Sequence, residues 1–429
     1  MNVVIPVIGI EFRVNPIILS WFSISTLLSS ALMFLPLGVY GDRVGRIKIF
    51  KYGLTVFSIS TILTSLAPNE IIFLILRFLQ GVGVAAISVA GVALISEIFP
   101  PDIRGLALGI NATSTYIGLT LGPFAGGAIT SLLGWRYVFL VIFILSLTAL
   151  YIAYRYLDIE EDVSPGEFDY IGSIILSLAF TTLILGLSLY PSEVSTISLV
   201  IFPFATLLFI IWEYRTNSPL LDFRYILGNR LLILSILTAL MTYTATFGSS
   251  FLVSIYLQYI LSIEAFLTGL ILLTRPALMA LLSTLAGKLS DIIQPKYIVS
   301  IGLSLDCIGF ILLSMLSLGT SILYVIVALS LLGIGSALFT SPNTNAIMSS
   351  VDKRFYGMAS GLVGTARVYG QSFSMSIVSL LFSVYIGNVS VQKIPPIQLL
   401  TALDKIFIVF GVVTFLAIIP SMLRGDVKR

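Results

Sequence analysis

The sequence predicts an all-α integral membrane protein: two six-helix pseudo-repeats, a two-helix hairpin inserted between them, and a first helix that is incomplete. Three observations carry this. Of the 429 residues, 58% are hydrophobic and only 10% charged, with a mean hydropathy of +1.08, a balance that lipid rather than water solvates. Uncharged runs of about 20 residues, enough to cross roughly 30 Å of hydrocarbon as a helix, recur along the chain. A set of glycines returns at a fixed offset.

Taken in order, the first apolar stretch, Asn2 to Ile10, would reach only about 14 Å as a helix and cannot span. Crossings follow at 17–40, 52–67, 71–96, 105–133, 137–154, 170–190, 194–212, 231–260, 265–287, 297–318, 321–348, 358–387 and 406–423, each bounded by charges, Gly or Pro. That makes thirteen crossings and a stub. The runs are continuously apolar, whereas the strands of a membrane barrel alternate, so helices are expected. The connections are short, which makes consecutive helices antiparallel neighbours.

Lys and Arg set the orientation. One set of alternate connections holds Arg43, Arg46, Lys48 and Lys51, Arg104, Arg155, Arg215, Arg224 and Arg230, Lys288 and Lys296, Lys353 and Arg354, then Arg424, Lys428 and Arg429. The other set holds only Arg13, Arg136, Lys393 and Lys405. The first set is therefore expected to be cytoplasmic, with the C-terminus inside the cell membrane. The acidic stretch from Asp158 to Asp169 reads as a solvated linker.

There is no His, and Cys307 is the only Cys. This removes an intrachain disulfide, a His or Cys metal site and every His-dependent triad. No cofactor or metal is expected, and no nucleophile constellation points to an enzyme. The net charge of +3 is one-sided and speaks to membrane orientation rather than to nucleic acid. Proton chemistry falls to carboxylates.

A shift of 252 residues carries Gly81, Gly83, Gly105, Gly109 and Gly118 onto Gly333, Gly335, Gly357, Gly361 and Gly370, with Ala85, Ala107 and Thr113 meeting Ala337, Ala359 and Thr365. A shift of 249 carries Gly38 and Asp42 onto Gly287 and Asp291. Two copies of one helical unit are expected of a transporter whose halves enclose a central site. The expected organisation is a first bundle over 1–157, the linker 158–169, the inserted hairpin 170–213, a second linker 214–230, and a second bundle over 231–424. In this register 231–260 maps to a segment that begins upstream of position one, so the missing part of the first helix is expected before Met1.

Three motifs follow. Between the second and third helices of the first bundle stands GVYGDRVGRIK, Gly38 to Lys48, where glycines allow a tight turn and Arg43, Arg46 and Lys48 anchor one membrane face. This resembles the signature loop of the major facilitator superfamily, and GKLSD, Gly287 to Asp291, is its degenerate echo. The resemblance implies a gate latch formed by Gly38, Asp42, Arg43, Gly45, Arg46 and Asp291; the alternative is a basic loop that only fixes topology. LILRFLQGVGVAA, Leu74 to Ala86, is similar to the family's fourth-helix motif, which implies a proton-coupling role for Arg77; alternatively Arg77 snorkels to the outer interface. GLTLGPFAGG, with Gly118, Gly122, Pro123, Gly126 and Gly127, resembles the motif of exporting antiporters. Small residues there allow close helix approach, and Pro123 removes the hydrogen bond to Leu119.

Further likeness to the fourteen-helix drug and proton antiporter branch lies in Trp135-Arg136, FPPDIRG from Phe99 to Gly105, YLQYI from Tyr256 to Ile260 and SPNTNAIMSS from Ser341 to Ser350. It implies proton-coupled export of small amphipathic or cationic molecules by a monomer in the lipid bilayer, with the substrate and protons as its partners. A specific metabolite such as an amino acid or sugar, or a non-transporting membrane sensor, are the alternatives. The likeness departs at the front, where the acidic residue of the branch's first helix would precede Met1.

Two membrane charges stand outside the family pattern. Arg275 and Asp306 lie at similar depth on adjacent helices and are expected to pair; Asp306 is then either structural or a titrating group. Asn111, Thr115, Tyr243, Gln258, Asn343, Asn345 and Gln371 are candidates for lining a cavity, although helix-to-helix hydrogen bonds use the same residue types. Asn388-Val389-Ser390 matches a glycosylation sequon.

Overall fold

The computed structural model describes residues 3–98, 101–157, 168–216, 220, 223–351, 356–387, 389 and 393–427; within these, the side chains at 42, 96–97, 101–109, 112–113, 116, 119–120, 223–225, 291, 356–358 and 360 lie outside the description. Every regular element among the described residues is helical: α1 (Val4–Phe12), α2 (Pro16–Val44), α3 (Arg46–Ser65), α4 (Glu70–Ile98), α5 (Pro101–Leu132), α6 (Trp135–Tyr156), α7 (Tyr170–Ser188), α8 (Glu193–Arg215), α9 (Phe223–Gly228), α10 (Arg230–Ile255), α11 (Ala265–Ile292), α12 (Pro295–Ser314), α13 (Ile322–Ser349), α14 (Tyr356–Tyr385) and α15 (Pro396–Leu423). A π-turn, Tyr256–Ile260, prolongs α10. Twelve of these helices are long and apolar enough to cross a membrane, and the 32-residue α5 occupies the remaining expected crossing.

The two largest differences from the expected boundaries have physical reasons. The segment expected as a loop from Gly38 is mostly helix: α2 runs through Val44, and only Gly45 (φ 104°) leaves helical space before Arg46 opens α3. A left-handed φ at a single Gly is enough to reverse the chain. The last helix begins at Pro396, ten residues early, because charges interrupt an apolar run without ending a helix, and Asp404 and Lys405 are both part-exposed within it. Lys405 Nζ lies 3.3 Å from Asp404 Oδ2 within the helix.

Contacts divide the chain into two compact units, Ile18–Ala112 with Leu133–Phe223, and Met1–Ile17 with Thr113–Leu132 and Arg224–Arg429. In the first, α3 packs on α4 and α6, and α7 on α8. Gly53 and Gly83 let α3 and α4 meet backbone to backbone, a Cβ at Gly83 falling 2.8 Å from the Gly53 carbonyl oxygen. Ser58 and Ser146 join α3 to α6 by a 2.9 Å hydrogen bond. In the second unit, α13 packs on α11 and α12, α15 on α12, and α10 on α14 and α15. Lipid offers no hydrophobic drive between helices, so small residues and buried hydroxyls of this kind hold the bundle.

The linker expected between bundles is also partly structured. Residues 158–167 lie outside the description, but Asp169 is not solvated. It is 8% exposed and caps α7, accepting from Gly172 N at 2.7 Å and from Trp212 Nε1 of α8 at 2.9 Å.

Candidate functional site

In the first unit, the signature segment lies along the end of α2 and the start of α3. Gly38 is helical, and a Cβ there would stand 3.1 Å from Val89 of α4. The Arg43 guanidinium lies over the Phe168 ring, 5.6 Å from its centroid, while its Nη1 is buried without a hydrogen-bond partner. Lys51 lies over Tyr154. The side chains of Asp42 and Asp291, both assigned to the latch from the sequence, lie outside the described residues.

Arg77 of α4 points into the unit. Its Nε donates to the Phe22 carbonyl of α2 at 3.1 Å and its Nη1 to Gln80 Oε1 at 2.7 Å. Gln80, 2% exposed, passes the chain on to Thr61 of α3 at 3.0 Å. One guanidinium thus ties α2, α3 and α4 together. Sequence reading singled out Arg77 but neither Gln80 nor Thr61; a Gln three residues after a membrane Arg, on the same helix face, is the signal that was there to use.

In the second unit, the latter half of α5 meets α11. A Cβ on Gly127 would overlap the Ala265 carbonyl, and a Cβ on Gly269 would overlap the Pro123 carbonyl. The two glycines are reciprocal: each receives the other helix's backbone. Phe266 N donates to Ser131 Oγ at 3.0 Å, and Phe124 stacks near Phe266 at 5.8 Å. Gly126 faces Val4 of α1, whereas Gly118 and Gly122 face open space. Gly269 was absent from the sequence reading because nothing local distinguishes it. From the π-turn, Gln258 donates to the Val3 carbonyl at 3.0 Å and Tyr259 to the Pro6 carbonyl at 2.6 Å.

Arg275 and Asp306, expected to pair, interact electrostatically but share no hydrogen bond or short ion pair. Arg275 Nη1 donates to the Thr246 carbonyl at 2.6 Å and to Ser249 Oγ at 2.7 Å, both on α10, and its Nη2 to Ser336 of α13 at 3.2 Å. Asp306 is fully buried and neither carboxylate oxygen has a hydrogen-bond partner. Its Oδ1 rests on Gly335, next to Ser336. Matching depth put the two groups at one level; the azimuth of each helix then turned them to neighbouring residues of α13 instead of to each other.

The polar residues expected to line a cavity are mostly engaged elsewhere. Asn343, 2% exposed, donates to the Ser235 carbonyl at 3.2 Å and accepts from Arg424 Nη1 at 2.6 Å. Arg424, just beyond α15 and itself 2% exposed, also reaches Ser235 Oγ at 3.3 Å, and burial draws its guanidinium down to about 10. Asn345 donates to Ser290 at 2.9 Å, and Tyr243 packs edge-on against Phe339. Gln371 is half-buried, while Asn111 and Thr115 on α5 are exposed. The sequon's Asn388 and Ser390 lie outside the described residues.

Membrane-length helices, with Arg77, Arg275 and Arg424 each held across neighbouring helices, define a polytopic membrane protein. A model of the Major Facilitator Superfamily matches residues 1–375 and again 236–427, and the chain belongs to that superfamily. It is similar to the uncharacterized transporter YebQ of Escherichia coli (strain K12), 29% identical over 392 residues that cover 90% of this chain and 86% of that one. It is 28% identical over 393 residues to the multidrug resistance protein Stp of Mycobacterium tuberculosis (strain ATCC 25618 / H37Rv), covering 90% and 73%. With the riboflavin transporter RibZ of Clostridioides difficile (strain 630) it shares 25% identity over 387 residues, covering 89% and 84%. Among solved structures, a bacterial homolog of the human lysosomal transporter Spinster, inward-facing and unoccupied, superposes with a TM-score of 0.70 at 16% identity, covering 99% of this chain and 92% of that one.

Proposed function

We propose that the chain exports small amphipathic or cationic molecules in exchange for protons, its bundles 1–157 and 231–424 alternating access to a midplane site. The observation that carries this is the crossing of α5 on α11. Pro123 and Gly127 of the antiporter-like motif meet Ala265 and Gly269 backbone to backbone, with the Phe124–Phe266 ring contact and the Ser131 hydrogen bond beside them. A crossing closed mainly by backbone, with few side chains between the helices, can part and reclose as a unit, which a gate requires. Relatives named for multidrug resistance, such as Stp, support the cargo class.

The two-copy reading draws support from contacts. Gly81 rests on the Thr26 carbonyl and Gly333 on the Arg275 carbonyl; Gly83 rests on the Gly53 carbonyl and Gly335 on the Gly302 carbonyl. The offsets that align the glycines also align these partners. In the same register Asp306 takes the place of Phe57, so the second copy carries a carboxylate where the first carries a ring. We assign proton binding to Asp306, with Arg77 setting the first bundle's polar network and Asp42, Arg43, Gly45, Arg46 and Asp291 latching the cytoplasmic gate. Asn111, Thr115 and Gln371 remain the residues to test for substrate contact, and the chain is placed in the cell membrane as a monomer with its C-terminus inside.

A second reading, export of a specific metabolite, is favoured by the likeness to a riboflavin transporter. The deciding experiment measures accumulation of ethidium and of riboflavin in cells expressing the protein, with and without a proton uncoupler. Lower accumulation of ethidium that the uncoupler abolishes supports the pump; an effect on riboflavin alone supports the metabolite exporter. No difference from cells lacking the protein, for either compound, removes both.

A further inference from the structure

The α7–α8 hairpin is joined to the signature segment by side chains that neither the repeat nor the motifs explain. Asp169 caps α7 and clamps Trp212 of α8 through both carboxylate oxygens, at 2.9 and 3.0 Å. Trp212 and Leu176 border an apolar cluster of Ile175, Phe209 and Leu220 that also takes in Leu35 and Val39 of α2. The hairpin is therefore fixed to α2 one to two turns before Arg43. The cap in turn fixes the residue before it, Phe168, whose ring stands edge-on to Tyr40 at 5.8 Å and to Tyr170 at 4.6 Å. Its face receives the Arg43 guanidinium. Arg43 has a buried Nη1 with no hydrogen-bond partner. Among the described residues, its hold is the aromatic face of Phe168, which the cap of the hairpin positions.

We propose that the inserted hairpin is a lock on the signature segment, and that Phe168 is the positioning residue through which it acts. A guanidinium over a ring is attracted by the ring's quadrupole as well as by contact area, and a partly desolvated site strengthens that attraction. The contact is a single residue at the entry to a capped helix, so it releases Arg43 without unfolding either partner. The hairpin thereby restrains the turn at Gly45, and with it the relative movement of α2 and α3. The consequence for transport rests on the proposed gating role of this segment.

The test uses full-length protein in which Cys307→Ser removes the native thiol and Gly41→Cys reports on the segment. A Cβ at Gly41 finds only ordinary contacts, the nearest being Ile49 at 3.6 Å. Alkylation of this buried thiol by a small maleimide is followed in membranes. Phe168→Ala and Phe168→Leu are expected to raise the rate roughly two- to thirtyfold, the factor that a cation–ring contact supplies. Phe168→Tyr and Phe168→Trp are expected to restore it. Leu separates the two causes, since it keeps the apolar area and lacks the quadrupole. Equal rates for Phe and Leu, or an unchanged rate for Ala, overturn the lock. Rates graded as expected with unaltered ethidium efflux leave the lock standing and count against the gating role of the segment.

Discussion

Substituting Gly127 or Gly269 by Ala tests the crossing of α5 on α11. A methyl at Gly127 would stand 3.2 Å from the Ala265 carbonyl carbon and 3.3 Å from Phe266 Cα, and closer still to the carbonyl oxygen. A methyl at Gly269 would stand 3.1 Å from the Pro123 carbonyl carbon and 3.4 Å from Phe124 Cα. Carbon contacts are comfortable at about 3.5–4.0 Å, so the helices must part by up to about 1 Å, which forfeits a quarter to a half of the dispersion at the crossing. Backbone cannot rotate aside as a side chain does. Each single substitution is therefore expected to cost roughly 1–3 kcal/mol, the range for overpacking. Because one displacement relieves both overlaps, the double variant is expected to cost less than the sum by about 1 kcal/mol. Gly118→Ala and Gly122→Ala meet nothing within 4 Å and are expected to be neutral or slightly stabilising, since Ala is the better helix former. Unfolding of the purified protein in detergent, followed by tryptophan fluorescence, measures all five variants. If Gly118→Ala destabilises as much as Gly127→Ala, or the two clashes add fully, the reciprocal crossing is wrong.

Arg77→Lys keeps the charge but cannot reach Phe22 O and Gln80 Oε1 together, so it is expected to lose about 1.5–3 kcal/mol of stability with expression retained; an unchanged unfolding midpoint would show that the network is dispensable. Asp306→Asn removes a chargeable group whose two oxygens have no hydrogen-bond partner, and it is expected to hold stability within about 1 kcal/mol while making efflux insensitive to an imposed pH gradient. Undiminished coupling in inside-out vesicles takes Asp306 off the proton path. Arg424→Ala strips Asn343 and Ser235 of their buried donor and is expected to cost roughly 2–4 kcal/mol; chemical denaturation tests it, and Arg424→Lys should recover only part.

Much of the helical layout was legible because a membrane helix needs only an unbroken apolar run, and that property is local. Boundaries failed where charges lay within the helix instead of at its end, as at Asp404 and Lys405, or where glycines continued a helix that they were expected to turn, as at Gly38. Site residues were harder. Counting residues gives height in the bilayer and leaves rotation about the helix axis open, so Arg275 and Asp306 were placed at one level yet face Ser336 and Gly335. Asn343, Asn345 and Gln258 looked like cavity lining, but an amide in a membrane helix serves equally well as glue, and neighbouring helices claimed all three. Asp169 reads as a solvated acid because it ends an acidic run; its bond to Gly172 N caps α7 locally, and only the arrival of Trp212 from the next helix buries it. Gly269 carries no local mark at all, since its role exists only where α5 crosses it.

The π-turn that ends α10 grips α1 in an unequal way. Gln258 and Tyr259 spend their side chains on main-chain oxygens of residues 3 and 6, atoms that every amino acid supplies. The grip constrains the chemistry of the two donors, whereas the buried receiving positions are constrained by size alone. Random mutagenesis should therefore find that positions 3 and 6 accept apolar residues of similar volume and that 258 and 259 do not, an asymmetry set by which partner lends its backbone.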